Sequence, residues 1–221
     1  MVTERACERL EMPLREQQCV VQGFGNVGGV AARELADRGA RVIAVSDLSG
    51  GVLAEDGLDL ADVRAWVSEN GTLAGYPGAT AITNAELLEL PCDVLVLAAR
   101  EDQVTIENAG SIEAKLIAEG ANGPTSIEAD AILQERGVLV LPDILTNAGG
   151  VTVSYFEWVQ DRGRLFWSRD EIRAKLAEKL NDAFDRVWDL AEQRGLSLRS
   201  AALVCGIQEV AGAMASRGFY P

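Results

Sequence analysis

The sequence predicts an α/β fold: a doubly wound parallel sheet with a C-terminal helical extension. Three observations carry this expectation. Up to Arg162, short apolar runs alternate with amphipathic segments, the pattern of strands joined by helical crossovers. A glycine-rich turn, Gly23-Phe24-Gly25-Asn26-Val27-Gly28, links the first such run to the helix behind it. Beyond Arg162 the strand-like runs stop and helical periodicity takes over.

Each element has its own signal. The opening stretch through Leu14 reads as a helix. Residues 19–22 form a short buried strand. Residues 26–38 are helical, with Val27, Val30, Ala31 and Leu35 suitably spaced and Gly39 as a stop. Residues 41–46 form a second strand ending at Asp47, and Gly50 and Gly51 are expected to mark a turn. Residues 59–69 form a helix closed by Asn70-Gly71, while residues 72–83, with Gly75, Pro77 and Gly78, are expected to be loop. Residues 93–98 hold an apolar central strand, 115–118 and 138–141 two more, and 126–136 a helix between those two. Another helix starts near Asn147. Ser168 and Glu171 have capping-box spacing, in which the two side chains satisfy free backbone N–H groups reciprocally. Behind them Ile172, Leu176, Leu180, Phe184 and Trp188 fall on one stripe, and a last helix runs from about Leu198 to Ser216.

Composition narrows the function. With 34 acidic and 20 basic residues the net charge is −14, which disfavours nucleic acid as a partner and opposes docking on anionic membranes. There is no histidine, so imidazole bases, Ser-His or Cys-His pairs and His-ligated metals are excluded. Cys7, Cys19, Cys92 and Cys205 form no C-x-x-C pair, and no metal site is expected. No apolar run is long enough to cross a bilayer, and without a signal peptide the expected location is cytoplasmic.

Three fixed glycines alone are a weak signal, expected by chance about 0.2 times in a chain this rich in glycine. Context strengthens it: the loop follows a strand, opens a helix, and Asp47 lies 24 residues after Gly23 at the end of the next strand. That is the fingerprint of a Rossmann-like dinucleotide-binding unit. Gly23 permits the tight turn, Gly25 the approach of a pyrophosphate, and Gly28 close helix–strand packing, while Asp47 is expected to accept from the adenosine ribose. A carboxylate there repels a 2′-phosphate and favours NAD. NADP remains possible through Ser46, Ser49 or Arg41.

A flat nicotinamide ring needs small residues beyond the carboxyl ends of the strands. Ala98-Ala99, the segment after residues 115–118 with Asn122, and the segment after residues 138–141 with Asn147 are placed to supply them. Either asparagine alone is explained by a turn or cap; two at successive strand ends favour a site.

Gln22 to Gly28, Glu119-Gly120-Ala121-Asn122-Gly123-Pro124-Thr125 and the run from Asn147-Ala148-Gly149-Gly150-Val151 through Ser154-Tyr155-Phe156-Glu157-Trp158 resemble the coenzyme domain of the glutamate dehydrogenases. The likeness covers nearly the whole chain, including the closing Arg217-Gly218-Phe219-Tyr220-Pro221. The resemblance implies reversible oxidative deamination of L-glutamate to 2-oxoglutarate and ammonia, with hydride passing to NAD or NADP. It implies roles for Asn122 and Asn147 in positioning the nicotinamide, its ribose or the substrate. Ser154 would contact the side-chain carboxylate of the substrate, and Val151 would line that pocket. It also implies a homo-oligomer and an N-terminal substrate domain, absent here, that holds the catalytic lysine. The only lysines are Lys115, Lys175 and Lys179, none in a glycine-rich segment, so no catalytic residue is expected in this chain. Where the family commonly has Pro-Ala-Ala, Leu97-Ala98-Ala99 stands. Residues 1–162 are expected to bind the dinucleotide, with 163–221 as helices packed on the same domain. Two alternatives remain: a free-standing dinucleotide-binding or regulatory module without turnover, and a domain of a leucine- or phenylalanine-type dehydrogenase. The latter would want an apolar residue at Ser154.

Overall fold

Side chains alternate between the two faces of a strand, and here each face meets its own core. In the computed structural model, which describes residues 1–218, seven strands form one sheet: β1 (Gln18–Gln22), β2 (Arg41–Asp47), β3 (Gly50–Leu53), β4 (Thr80–Ile82), β5 (Val94–Leu97), β6 (Leu116–Glu119) and β7 (Leu139–Leu141). Their order is β4-β3-β2-β1-β5-β6-β7. The closing Phe219, Tyr220 and Pro221 lie outside the described residues.

Cys19, Val21, Val94, Val96, Leu116 and Ala118 enter one core, where α1 (Val2–Arg9), α2 (Gly28–Asp37), α3 (Leu60–Asn70), α8 (Arg169–Arg194) and α9 (Leu198–Arg217) bury apolar residues. Val20, Leu95, Leu97 and Ile117 enter the other, beneath α4 (Asn84–Leu88) and α5 (Ile127–Glu135). Burial on both faces explains why these strands read as continuous apolar runs. The remaining helices, α6 (Asp143–Thr146) and α7 (Gly149–Gly163), follow β7.

The sheet is doubly wound as expected but not wholly parallel. β1, β2, β5, β6 and β7 pair in parallel, whereas β3 is antiparallel to both β2 and β4. A parallel connection needs a crossover of a dozen or more residues, and only Leu48-Ser49 separate β2 from β3. Gly50 and Gly51 are therefore not the expected turn. They lie in β3, opposite Asp47 and Ser46. A Cβ on Gly51 would meet Ile82 and Leu87 side chains at 3.0 and 3.1 Å, so a side chain there would crowd both. The Asp47 carboxylate makes the turn instead, its Oδ1 accepting from the Ser49 N–H at 2.7 Å.

Other differences are local. The first helix ends at Arg9, and a separate 3₁₀ turn spans Leu14–Glu16. Pro13 disfavours helical geometry at the residue before it. Residues 72–83 are not all loop: the exposed edge strand β4 lies among them, with no alternation to betray it. A bulge in β2 pairs Cys19 with Val42 but Val20 with Ala44. Ile43 and Ala44 consequently face the same core, and the bulge re-aims the residues that follow toward Asp47.

The capping box at α8 forms as its spacing predicts, with Ser168 accepting from the Glu171 N–H and Glu171 from the Ser168 N–H. Leu180, Phe184 and Trp188 from the expected stripe are buried with β1, β5 and β6 in one core. Burial of each such side chain stabilises the fold by about 1.5–3 kcal/mol.

Candidate functional site

The chain reverses direction at β1. The crossover through α2 leads to β2 on one side, while β5 lies on the other, so a crevice opens beyond the carboxyl ends of β1 and β5. The three glycines fit this place for three different reasons. Gly23 has φ +90°, and a Cβ on it would lie 2.7 Å from the Ala98 carbonyl oxygen. At Gly28 a Cβ would fall 1.7 Å from the Gly23 carbonyl oxygen. Gly25 is the opposite case, with nothing within 4 Å of its Cβ position and its backbone exposed to solvent. Its carbonyl accepts from Gly29, so the helical turn begins at Gly25 although α2 is bounded at Gly28. The first turn of α2 has no acidic residue, which leaves the N–H groups and the positive dipole end open to an anion. Phe24 packs on the core, while Asn26 and Val27 are exposed at the mouth. The Gly23 N–H donates to Ser46 Oγ at 3.2 Å, tying the loop to the end of β2.

Asp47 stands at that end, partly buried. Its Oδ1 accepts from both the N–H and the hydroxyl of Ser49, at 2.7 and 2.5 Å, and its Oδ2 accepts from the Leu73 N–H at 2.7 Å. Burial raises its pKa, but the bonds from Ser49 and Leu73 outweigh burial and hold the carboxyl below its ordinary value. It is an ionised group that organises the loop around Leu73 as well as the hairpin turn.

On the other side of β1, a cleft of about 500 Å³ is lined by Val27, Ala98, Ala99, Arg100, Glu101, Gly120, Ala121, Asn122 and Asn147. The structure thus brings together five expected residues: Val27, Ala98, Ala99, Asn122 and Asn147. Asn147 Nδ2 donates to Asn122 Oδ1 at 2.6 Å. One bond orients both amides and leaves the Asn122 amino group and the Asn147 carbonyl to act on a ligand. Gly120, Val27 and Asn147 also border a second hollow of about 390 Å³ on the α2 side.

Ser154 and Val151 are on α7, both exposed, and do not line this cleft. Seven residues separate Asn147 from Ser154, which would be two turns along one face if a single helix held both. The structure places Asn147 outside α7, at the C-terminus of α6, so helical spacing does not relate the two. The lysines lie elsewhere. Lys115 pairs with Asp93 at 2.8 Å at the start of β6, and Lys175 sits over the Trp167 ring at 4.8 Å.

Residues without a local signal support the cleft. Glu119, the last residue of β6, is fully buried, accepting from the Asp143 N–H at 2.8 Å and pairing with Arg199 at 2.7 Å. Burial opposes the charged guanidinium, yet bonds to Glu119 and Asp130 hold the pKa of Arg199 above its ordinary value. Glu119 stands in a motif singled out from sequence, but its partner comes from α9.

Among the described residues, no helix is long and apolar enough to cross a membrane. The family Glutamate/Leucine/Phenylalanine/Valine dehydrogenase matches residues 1–218. Similar curated proteins are the NADP-specific glutamate dehydrogenase A1 of Halobacterium salinarum, 47% identical over 96% of this chain and 51% of its own, and the NAD-specific glutamate dehydrogenase of Staphylococcus aureus, 44% identical over 98% and 52%. Among solved structures, the hetero-hexameric glutamate dehydrogenase of Thermus thermophilus in its leucine-bound form superposes with a TM-score of 0.93 at 37% identity, over 100% of this chain and 52% of that one. The chain spans about half the length of the relatives it matches.

Proposed function

The chain belongs to the Glutamate/Leucine/Phenylalanine/Valine dehydrogenase family, and on that premise we propose that it is the dinucleotide-binding half of a glutamate dehydrogenase. The reaction is the reversible oxidative deamination of L-glutamate to 2-oxoglutarate and ammonia. Residues 1–162 carry the nucleotide site, and the helices α8 and α9 that follow pack on the same domain. The assembled enzyme is a homo-oligomer in the cytoplasm.

One observation carries the reading. Val27 of the glycine turn and the Asn122–Asn147 pair line one cleft at the switch point of the sheet, and the open Gly25 lies two residues before Val27 at the same helix end. The residues present fit a dinucleotide. The first turn of α2 receives the pyrophosphate, and Gly25 lets it come close. Asp47 takes one ribose hydroxyl of the adenosine at its remaining acceptor position. Ala98, Ala99 and Gly120 leave a flat, small-walled surface for a ring, and Asn122 with Asn147 fixes its orientation. The bound NAD or NADP supplies the hydride acceptor. Val151 and Ser154 face glutamate across the domain boundary, Ser154 donating to its side-chain carboxylate. Proton transfer at the amine belongs to groups of the complementary half, because the cleft residues here mainly bind and orient. The specific resemblance from Asn147 through Trp158, with a polar residue at Ser154, favours glutamate over leucine or phenylalanine.

A paired titration of the chain with NADH and NADPH, followed by cofactor fluorescence, tests the proposal. Saturable binding with NADH tighter than NADPH is expected. Binding of neither would defeat the assignment of the glycine loop.

A further inference from the structure

We infer that Arg199 is a positioning residue for the nicotinamide end of the cleft, acting from α9 through Glu119 and Asp143 on the loop that carries Asn122. This rests on the reading of the cleft given above. Arg199 is the meeting point of three carboxylates from three elements. Its Nη2 reaches Glu119 at 2.7 Å, its Nε reaches Asp130 of α5 at 2.8 Å, and its Nη1 lies 3.5 Å from Asp143 at the start of α6.

Two of those carboxylates continue into the cleft. Glu119 directly precedes Gly120, and its other oxygen accepts from the Asp143 N–H at 2.8 Å. Asp143 Oδ2 then accepts from the Gly123 N–H at 2.8 Å, next to Asn122. The backbone carbonyl of Asp143 accepts from the Asn147 N–H at 2.9 Å. Both asparagines that orient the ligand are therefore tied to Asp143, and Asp143 is held by the charge of Arg199. Sterics do not supply this restraint: Gly123 has φ +53° and nothing within 4 Å of its Cβ position. The loop is held there by hydrogen bonding, the Gly123 N–H to Asp143 and the Gly123 carbonyl to the Asp102 N–H at 3.0 Å, and a shift of Asp143 would release the first of these, beside Asn122.

A lysine cannot replace the guanidinium fork, since one ammonium cannot hold a planar pair of carboxylates in the same geometry. In Arg199→Lys a single ammonium cannot reach all three carboxylates, and the one it leaves unpaired is repelled by the other two. The cheapest relief is for Asp143 to turn toward solvent, because Glu119 is enclosed and Asp143 is not.

The test compares wild-type chain with Arg199→Lys, titrated with NADH and with ADP. ADP keeps the adenosine and pyrophosphate but lacks the nicotinamide riboside. At a temperature where both proteins are fully folded, Arg199→Lys should weaken NADH about tenfold, the order of one charge-assisted hydrogen bond, and leave ADP unchanged. NADH and ADP weakening together, or neither weakening, would overturn the inference. Asp143→Ala supplies a second route should the lysine variant fold poorly. It should show the same selective loss, and combining the two changes should add little, since both act on one path. Full additivity would refute that path. Wild type binding neither ligand defeats the glycine-loop reading and this inference with it. Wild type binding NADH no better than ADP overturns this inference alone.

Discussion

Gly25 and Gly28 lie three residues apart in one motif, yet alanine should act on them in opposite ways. At Gly28 the new Cβ would sit 1.7 Å from the Gly23 carbonyl oxygen, far inside contact distance, and the obstacle is backbone. Either α2 lifts from β1 or the loop reorganises. Overpacking of a tight core costs about 1–3 kcal/mol and occasionally more, and this overlap belongs at the upper end. For a chain of this length each kcal/mol lowers Tm by roughly 2–4 °C, so Gly28→Ala should lose about 6–12 °C. At Gly25 nothing lies within 4 Å and φ is not in the left-handed region, so Gly25→Ala should hold or slightly raise Tm, by about 0.4–1 kcal/mol through the unfolded chain. Its methyl would occupy the space offered to the pyrophosphate, and NADH should bind at least about tenfold more weakly, a change of 1.4 kcal/mol. Thermal unfolding and NADH titration on both variants decide the matter. If Gly25→Ala unfolds as early as Gly28→Ala, or binds NADH like wild type, the division of roles between packing and ligand approach is wrong.

Other expectations follow from the same geometry. The pKa of Asp47 is depressed in the folded state, so its ionised form stabilises the fold above the unfolded carboxylate value, and that contribution disappears as pH falls through the lower folded value; Asp47→Asn should flatten the acid limb of Tm against pH below about pH 4. Burial lifts the thiol pKa of Cys7 to about 11 and of Cys92 to about 12, and raises that of Cys19 as well, whereas Cys205 is only half-buried. A thiol reagent at pH 8 should therefore label Cys205 quickly in the native chain and the other three only after denaturation. In an enzyme assembled from this chain and a substrate-binding half, Ser154→Ala should raise KM for glutamate about tenfold, the order of a hydrogen bond to a charged group, and leave KM for NAD unchanged; equal effects on both would remove the assignment.

What the sequence made legible was local. The glycine turn, the apolar central strands and the Ser168–Glu171 cap each depend on neighbours along the chain, and each is where it was expected. The antiparallel strand β3 was missed because Gly50-Gly51 reads as a turn until Ile82 and Leu87 are seen packed against it. β4 was missed because an exposed three-residue edge has no pattern of its own; pairing with β3 defines it. Likewise the cleft-lining asparagines could be named from their place after strands, but the bond between them spans 25 positions. The Arg199 network joins residues 56 to 80 positions apart, and nothing about a single arginine in a helix announces three partners.

Asp47 shows how the same long-range contacts bear on cofactor choice. Its two oxygens offer about four acceptor positions, and Ser49 and Leu73 already fill three of them. An uncommitted carboxylate could grip both ribose hydroxyls; this one has a place for a single bond. Its negative charge still repels a 2′-phosphate, but the Ser49 hydroxyl that leans on it can turn outward and donate to that phosphate instead, at the cost of one internal bond. The preference for NADH over NADPH should therefore be modest, within about tenfold, or 1.4 kcal/mol. It should widen in Ser49→Ala, which removes the donor a phosphate would use and frees one acceptor position for the ribose. A preference of several hundredfold in wild type, or no change in Ser49→Ala, would mean that groups other than this carboxylate and its hydroxyl partner read the ribose. Proteins of this family that are similarly close to the chain are named for NAD in one case and NADP in the other. That is the behaviour expected when selectivity rests on a few side chains at one turn, with the fold around them unchanged.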